Sequence, residues 1–328
     1  MIISKTPFRI SLFGGGTDYP IWYKEHGGMV IGTTINKYCY LSVSQLSPYF
    51  NHKYRIIWSR IEDVNKISEI QHPAVRAALT FLNINEGLEI SYRGDLPARS
   101  GLGTSSSFAV GIMNALYALL GPRPSSNELA NIAIYLEQEV LKETVGCQDQ
   151  IWAAYGGFNQ IIFHRDSNYV VIPLSIRNSK ELERSFMLFF TGFTRTASDI
   201  AERLVRDISK QQKVSLLHRI ADICKEAKQV LEQQTDTTND ISDLLHESWI
   251  LKKQLTDGIT TPLIDEIYEA GLKAGALGGK LLGAGGGGFI LFIVNPGQQY
   301  NVRKCLHKLI HVPIKISNEG SKILVMEP

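Results

Sequence analysis

Several features that would place a protein quickly are scarce in this sequence. Its four cysteines, Cys39, Cys147, Cys224 and Cys305, lie far apart with no CxxC spacing in 328 residues. That leaves neither a disulfide framework nor a zinc site to build on. Charge is not in excess: the net charge is +2, and no long basic run stands among the 20% charged residues. Nucleic acid and anionic membrane surfaces are therefore not expected as partners. Long hydrophobic runs are missing too. The most apolar one, FILFIV at 289–294, falls far short of the ~20 residues that a transmembrane helix needs. The opening MIISKTPF has Lys5 and Pro7 where the apolar core of a signal peptide would run. A cytoplasmic protein is expected, with its oligomeric state left open.

The chain has the length of two domains and, at 44% hydrophobic, the composition of an ordinary globular protein. Segments rich in Ile, Val, Tyr and Phe predict strands at 2–13, 38–46, 53–59, 88–93, 158–163 and 168–174. One helix is expected from Thr104. Another follows the capping box Ser125 to Glu128, with Leu129, Ile132, Ala133, Leu136 and Val140 at helical spacing. Beyond about 180 a strand (SFMLFFTGF) leads into helical stretches near 197–209, 214–233, 240–256 and 262–274. A glycine run, the strand FILFIV, a helix near 297–309 and short strands near 313–317 and 322–326 complete the chain. Strands and helices do not alternate regularly, which favours α+β over a doubly wound sheet. A domain division at 180/181, in the polar RNSKELER region, is expected.

Three glycine-rich segments remain: TPFRISLFGGGTDYP, LPARSGLGTSSS and GGKLLGAGGGGF. GAGGGG at 283–288 satisfies the bare pattern GxGxxG, but a dinucleotide site needs a strand before it and a helix after it. Here a helix is expected before it and the strand FILFIV after it. GALGGK at 275–280 is one residue short of a P-loop, and Leu281 stands where Ser or Thr is required. HRD and DFG are absent, which excludes the protein-kinase arrangement. In LPARSGLGTSSS, Gly101 and Gly103 permit a tight turn, and Thr104 to Ser107 open a helix. The unpaired amides and positive dipole end of that helix make an anion site. The segment reads as a phosphate cradle that is not a P-loop; a plain Ser-capped helix is the structural alternative.

Together and in this order, the three segments resemble the motifs of the GHMP small-molecule kinases, and the resemblance covers essentially the whole chain. The stretch TPFRISLFGGGTDYPIWYKEHGGMVIGTTINKY is similar to the sugar-1-kinase branch that includes D-glycero-D-manno-heptose 7-phosphate kinases. The resemblance implies a ribosomal-protein-S5-like N-terminal domain, a ferredoxin-like C-terminal domain, an active site between them, and ATP with Mg²⁺. It implies that Pro97, Arg99, Ser100, Gly101, Leu102, Gly103, Thr104, Ser105 and Ser106 wrap the nucleotide phosphates. The reaction implied is transfer of the γ-phosphoryl group to the anomeric hydroxyl of a sugar or sugar phosphate. Heptose 7-phosphate is the first acceptor expected, with an unphosphorylated hexose such as galactose or fucose as the alternative. A catalytically silent sugar and ATP sensor is the rival from another class.

Phosphoryl transfer depends mainly on positioning and on positive charge opposite the moving group. Asp149, in GCQDQ, resembles the family carboxylate that faces the accepting hydroxyl, and Arg9 the arginine that keeps it ionised. Ser105 and Glu137 match the metal-ligating hydroxyl and carboxylate. Glu137 and Glu139 would point about 200° apart on a helix, so at most one faces the site. Asp18, Gly15 and Gly16 are expected at the sugar, with Gly285 and Gly286 supporting the acceptor from the C-terminal domain. For a remote phosphate on the acceptor, Arg195 is the first candidate, with Lys37 and Arg99 as alternatives. His307 and His311 stand four residues apart but have no HExxH motif and no third ligand, so surface histidines are expected.

Overall fold

The computed structural model describes residues 1–176, 179–193, 197–211, 213–233 and 237–326. Strands β1 (Ile2–Phe13) and β2 (Gly28–Gln45) pair antiparallel along most of their length and form the backbone of a nine-stranded sheet. Between them runs the short helix α1 (Pro20–His26). Strands β3 (Tyr54–Ile57) and β4 (Ile61–Val64), helix α2 (Pro73–Phe81) and strand β5 (Leu88–Gly94) follow. Next come α3 (Thr104–Leu120), α4 (Ser126–Tyr135) and α5 (Gln148–Tyr155), then β6 (Phe158–Phe163) and β7 (Tyr169–Pro173). Helix α3 is apolar on nearly every side and is buried against β1 and β2, as a helix without a polar face must be.

The second half contains α6 (Ser179–Ser185), β8 (Phe186–Phe190), α7 (Ala197–Ser209), α8 (Val214–Leu231), α9 (Thr238–Lys253) and α10 (Pro262–Lys273). Strands β9 (Ala276–Leu281) and β10 (Phe289–Val294), helix α11 (Gln299–Cys305) and strand β11 (Ile310–Val312) close this unit. Its sheet is antiparallel with the order β11-β8-β10-β9. Numbered within the unit that order is 4-1-3-2, the ferredoxin-like arrangement that the resemblance implied.

The continuous apolar run of β10 is explained by its two faces. Phe289, Leu291 and Ile293 enter a core shared with β1, β2 and α3, whereas Ile290, Phe292 and Val294 enter a second core with α7, α9 and α10. A strand buried on both faces loses the polar/apolar alternation. The shared core also takes residues of α8 and α9, so hydrophobic packing continues from one sheet to the other.

Two expectations need correction. The last strands, β12 (Ile316–Ser317) and β13 (Lys322–Met326), pair with β2 and β1. The chain therefore returns to the first sheet, and residues 181–328 are not one continuous C-terminal domain. GAGGGG, moreover, is preceded by the strand β9 and not by a helix. The dinucleotide reading still fails, because a strand follows.

Candidate active site

The two glycine runs meet backbone to backbone. Gly101 has φ of 85°, and a Cβ there would stand 2.6 Å from the Leu282 carbonyl oxygen and 2.9 Å from its carbon. Glycine adopts that conformation without strain, and only a residue without a side chain allows that approach. Further along, Phe289 donates its amide to Ser100 O at 3.1 Å, so β10 is tied to the same loop. Replacing Gly101 by Ala forces backbone against backbone. A stability loss of about 1–3 kcal/mol is expected, read as a fall of several degrees in Tm; an unchanged Tm would show that the contact is slack.

Helix α3 starts immediately after this loop, with Gly103 as N-cap at φ of 71°. Below the helix tip lies the pair Arg9–Asp149. Arg9 Nε donates to Asp149 Oδ1 and Nη2 to Oδ2, each at 2.7 Å, while Nη1 donates to Gly101 O at 2.7 Å. The Arg9 amide is bound to Leu102 O at 3.1 Å. One guanidinium thus orients the carboxylate through a planar fork and fastens the glycine loop above it. Asp149 stands in the first turn of α5, where the helix dipole favours a negative charge. Its side chain is 23% exposed, against 6% for Arg9, so the carboxylate is the member of the pair that a ligand reaches.

Both face a cavity of about 500 Å³ between the two sheets, a size common for small-molecule sites. Its wall includes Gly15, Gly16, Asp18, Arg99, Gly101, Gly103, Thr104, Ser105 and Ser106, all anticipated from sequence. Asp18 is buried and accepts from the Gly16 amide at 3.0 Å. Burial pushes its carboxyl up to about 6, with the neighbouring Asp149 adding to the shift. A side chain at position 146 would overlap Asp18, its Cβ falling 1.8 Å from Oδ2, so Gly146 leaves the room that Asp18 needs.

Other expected residues are not at the cavity wall. Pro97 is exposed on the outer side of the loop, Leu102 belongs to the core, and Ser100 is buried behind the loop. Gly285 and Gly286 turn towards the chain between α9 and α10: Gly286 N donates to Ile259 O at 2.9 Å. Their neighbours Gly283 and Ala284 line the cavity instead. Lys37 lies on β2, away from the cavity, and Arg195 falls outside the described residues. His311 belongs to β11, so it does not share a helix with His307.

Ser105 and Glu137, expected together at a metal, are not hydrogen-bonded to each other. Ser105 is exposed in the cavity wall, whereas the buried Ser106 donates its hydroxyl to Glu137 Oε2 at 2.7 Å. One step along a helix turns a side chain by about 100°, enough to exchange the two. Glu137 belongs to a π-helical turn, Leu136–Val140, and also accepts from Gln150. It is buried, and burial pushes its carboxyl up to about 8. Glu139 points out to Lys142 at 3.0 Å, so Glu137 is the inward member of that pair.

Three lysines in the wall were missed: Lys142, which pairs with the exposed Glu139, and two from the second unit. Lys280, on β9, donates to Leu12 O at 2.7 Å; Lys252, at the end of α9, donates to Leu281 O at 3.0 Å and Gly283 O at 2.6 Å. Burial lowers the Lys280 ammonium to about 7, and lowers Lys252 as well; nearby cations add to both shifts.

A helix tip with free amides, an oriented carboxylate and converging cations, all lining one cavity, are the parts that phosphoryl transfer calls for. Comparison with known proteins agrees: residues 70–157 match the GHMP kinases N terminal domain and residues 219–311 the GHMP kinases C terminal domain. The chain belongs to the GHMP kinases, ATP-dependent phosphotransferases. It is 29% identical to the D-glycero-alpha-D-manno-heptose 7-phosphate kinase of Campylobacter jejuni, over 94% of this chain and 93% of that one. It is 26% identical to the bifunctional fucokinase/GDP-fucose pyrophosphorylase of Arabidopsis thaliana, over 95% of this chain but only 32% of that one. The structure of a D-glycero-D-manno-heptose 1-phosphate kinase from Bacteroides thetaiotaomicron superposes with a TM-score of 0.81, covering both chains completely at 24% identity; it attests the fold.

Proposed function

We propose that the protein transfers the γ-phosphoryl group of ATP to the anomeric hydroxyl of D-glycero-D-manno-heptose 7-phosphate, giving the 1,7-bisphosphate for nucleotide-heptose and surface-glycan synthesis. The observation that carries the chemistry is the Arg9–Asp149 fork beneath the α3 tip. The full-length likeness to the C. jejuni enzyme supports the acceptor. In this reading the amides at the start of α3 hold the nucleotide phosphates. Asp149 accepts a hydrogen bond from the attacking hydroxyl and turns its oxygen towards the γ-phosphorus. Asp18 accepts from sugar hydroxyls that enter beside Gly15 and Gly16.

Glu137 suits a divalent cation. It is a buried carboxylate held by neutral Ser106 and Gln150, and Gln150 Oε1 is buried without a partner. Ser106, Glu137 and Gln150 offer the hard oxygen donors that Mg²⁺ selects, and the ion would neutralise phosphate charge during transfer.

The test is incubation with ATP, Mg²⁺ and a panel of sugars with and without terminal phosphates, followed by product mass and ³¹P spectra. A new anomeric phosphate on heptose 7-phosphate, with turnover at least tenfold above that on galactose or fucose, is expected. Faster turnover of a free hexose would replace the acceptor; no transfer to any sugar would leave the sensor reading.

A further inference from the structure

Lys252 and Lys280 come from the C-terminal unit, yet both line the cavity beside Arg9. Among the described residues neither ammonium forms an ion pair. Burial disfavours both ammoniums while the cavity is empty, and a ligand that brings negative charge restores them to the charged form. Each ammonium has three donors. Two of Lys252's go to Leu281 O and Gly283 O and one of Lys280's to Leu12 O, leaving one and two for a ligand. These carbonyls belong to β9, the loop touching Gly101, and β1 just past Arg9, so the contacts hold both lysines in the wall that also carries Arg9 and Asp149.

Resting on the kinase reading, we infer that Lys252 and Lys280 form a cationic wall, supplied by the C-terminal unit, that binds the γ-phosphoryl group in transfer. The bond from the γ-phosphorus to the bridging oxygen of ADP breaks as the bond to the sugar oxygen forms, and the hydroxyl proton leaves towards Asp149 or solvent. The lysines neutralise the charge spread over the non-bridging oxygens of that group. The neighbouring glycines of the loop favour this donor-side role over a grip on a phosphate at the far end of the acceptor.

Lys252→Met and Lys280→Met test the wall. Each should lower kcat about 10–10³-fold, with KM for the acceptor changed less than threefold and Lys280→Arg partly restoring the rate. By calorimetry, wild type should bind a non-hydrolysable ATP analogue more tightly than ADP, and the Met variants should lose that preference. A rate loss confined to phosphorylated acceptors would move the lysines to the acceptor's phosphate and overturn the proposal; unchanged rates and an unchanged ATP preference would overturn it outright. If the variants do not fold, acetylation of wild type mapped by peptide mass decides. Protection of both lysines by the ATP analogue but not by ADP is expected, and equal protection by the two would refute the role. The ATP-against-ADP comparison needs no acceptor, so it stands even if the sugar assignment fails.

Discussion

Asp149→Asn is expected to reduce turnover by about 10²–10⁴-fold while nucleotide affinity changes little. The carboxylate accepts from two different nitrogens of Arg9, and an amide keeps only one acceptor. Its NH₂ group would face a guanidinium donor, so the side chain must swing out of the fork, and the attacking hydroxyl loses both its acceptor and its aim. Arg9, almost fully buried, is then left with an unsatisfied charge. Breaking a pair of this kind costs about 3–5 kcal/mol when it is fully enclosed; partial exposure of Asp149 reduces that, so a fall of a few degrees in Tm is expected beside the kinetic loss. In the proposed reading ATP is held by the amides of α3, and its binding is measured by calorimetry on the same sample. Turnover equal to wild type would remove Asp149 from the reaction; loss of nucleotide affinity equal to the loss of rate would make it a structural residue.

The residues at the helix tip were legible in the sequence because anion binding by a glycine turn and a helix N-terminus is a local property. Arg9 and Asp149, 140 positions apart, could be paired only through resemblance, since no periodicity links them. The lysines show why the rest was hidden. In WILKKQL, Lys252 and Lys253 look like one solvated end of a helix, and Lys253 does pair with Asp265 at 3.1 Å. A signal was nevertheless present: Ile241, Leu245 and Trp249 are fully buried, and Lys252 continues that stripe at helical spacing. Lys280 was set aside with the failed P-loop, although a charge within a strand buried along its length asks for a partner. The return of β12 and β13 was illegible for another reason: short strands of ordinary composition do not specify which sheet they join. Helix α1 was hidden by its length, yet its Trp22 is buried in the core of the second unit.

Glu137→Gln separates metal binding from architecture. Burial is the largest cause of the raised carboxyl, near 8; Glu143 and Asp149 add repulsion, and Ser106 and Gln150 oppose it. The group is therefore mostly protonated in the metal-free protein at neutral pH, and a divalent cation must displace that proton. Apparent Mg²⁺ affinity should rise up to about tenfold per pH unit below 8 and level off above it. The Gln variant should lose this dependence and about 10–100-fold in affinity, whereas Ser105→Ala, which leaves the Glu137 contacts intact, should change affinity less. Metal-free stability gives the complementary reading. A folded-state value of about 8 against 4.5 means that the unfolded chain gives up this proton first, so Glu137's contribution is complete below pH 4.5 and lost as pH rises through 8. Lys280, lowered to about 7, acts in the opposite sense above pH 7, so the quantity to follow is the difference in Tm between wild type and variant. That difference should grow in favour of Glu137→Gln by several degrees between pH 6 and 9. Parallel Tm curves together with unchanged Mg²⁺ titrations would show that the buried carboxyl neither titrates in this range nor holds the ion.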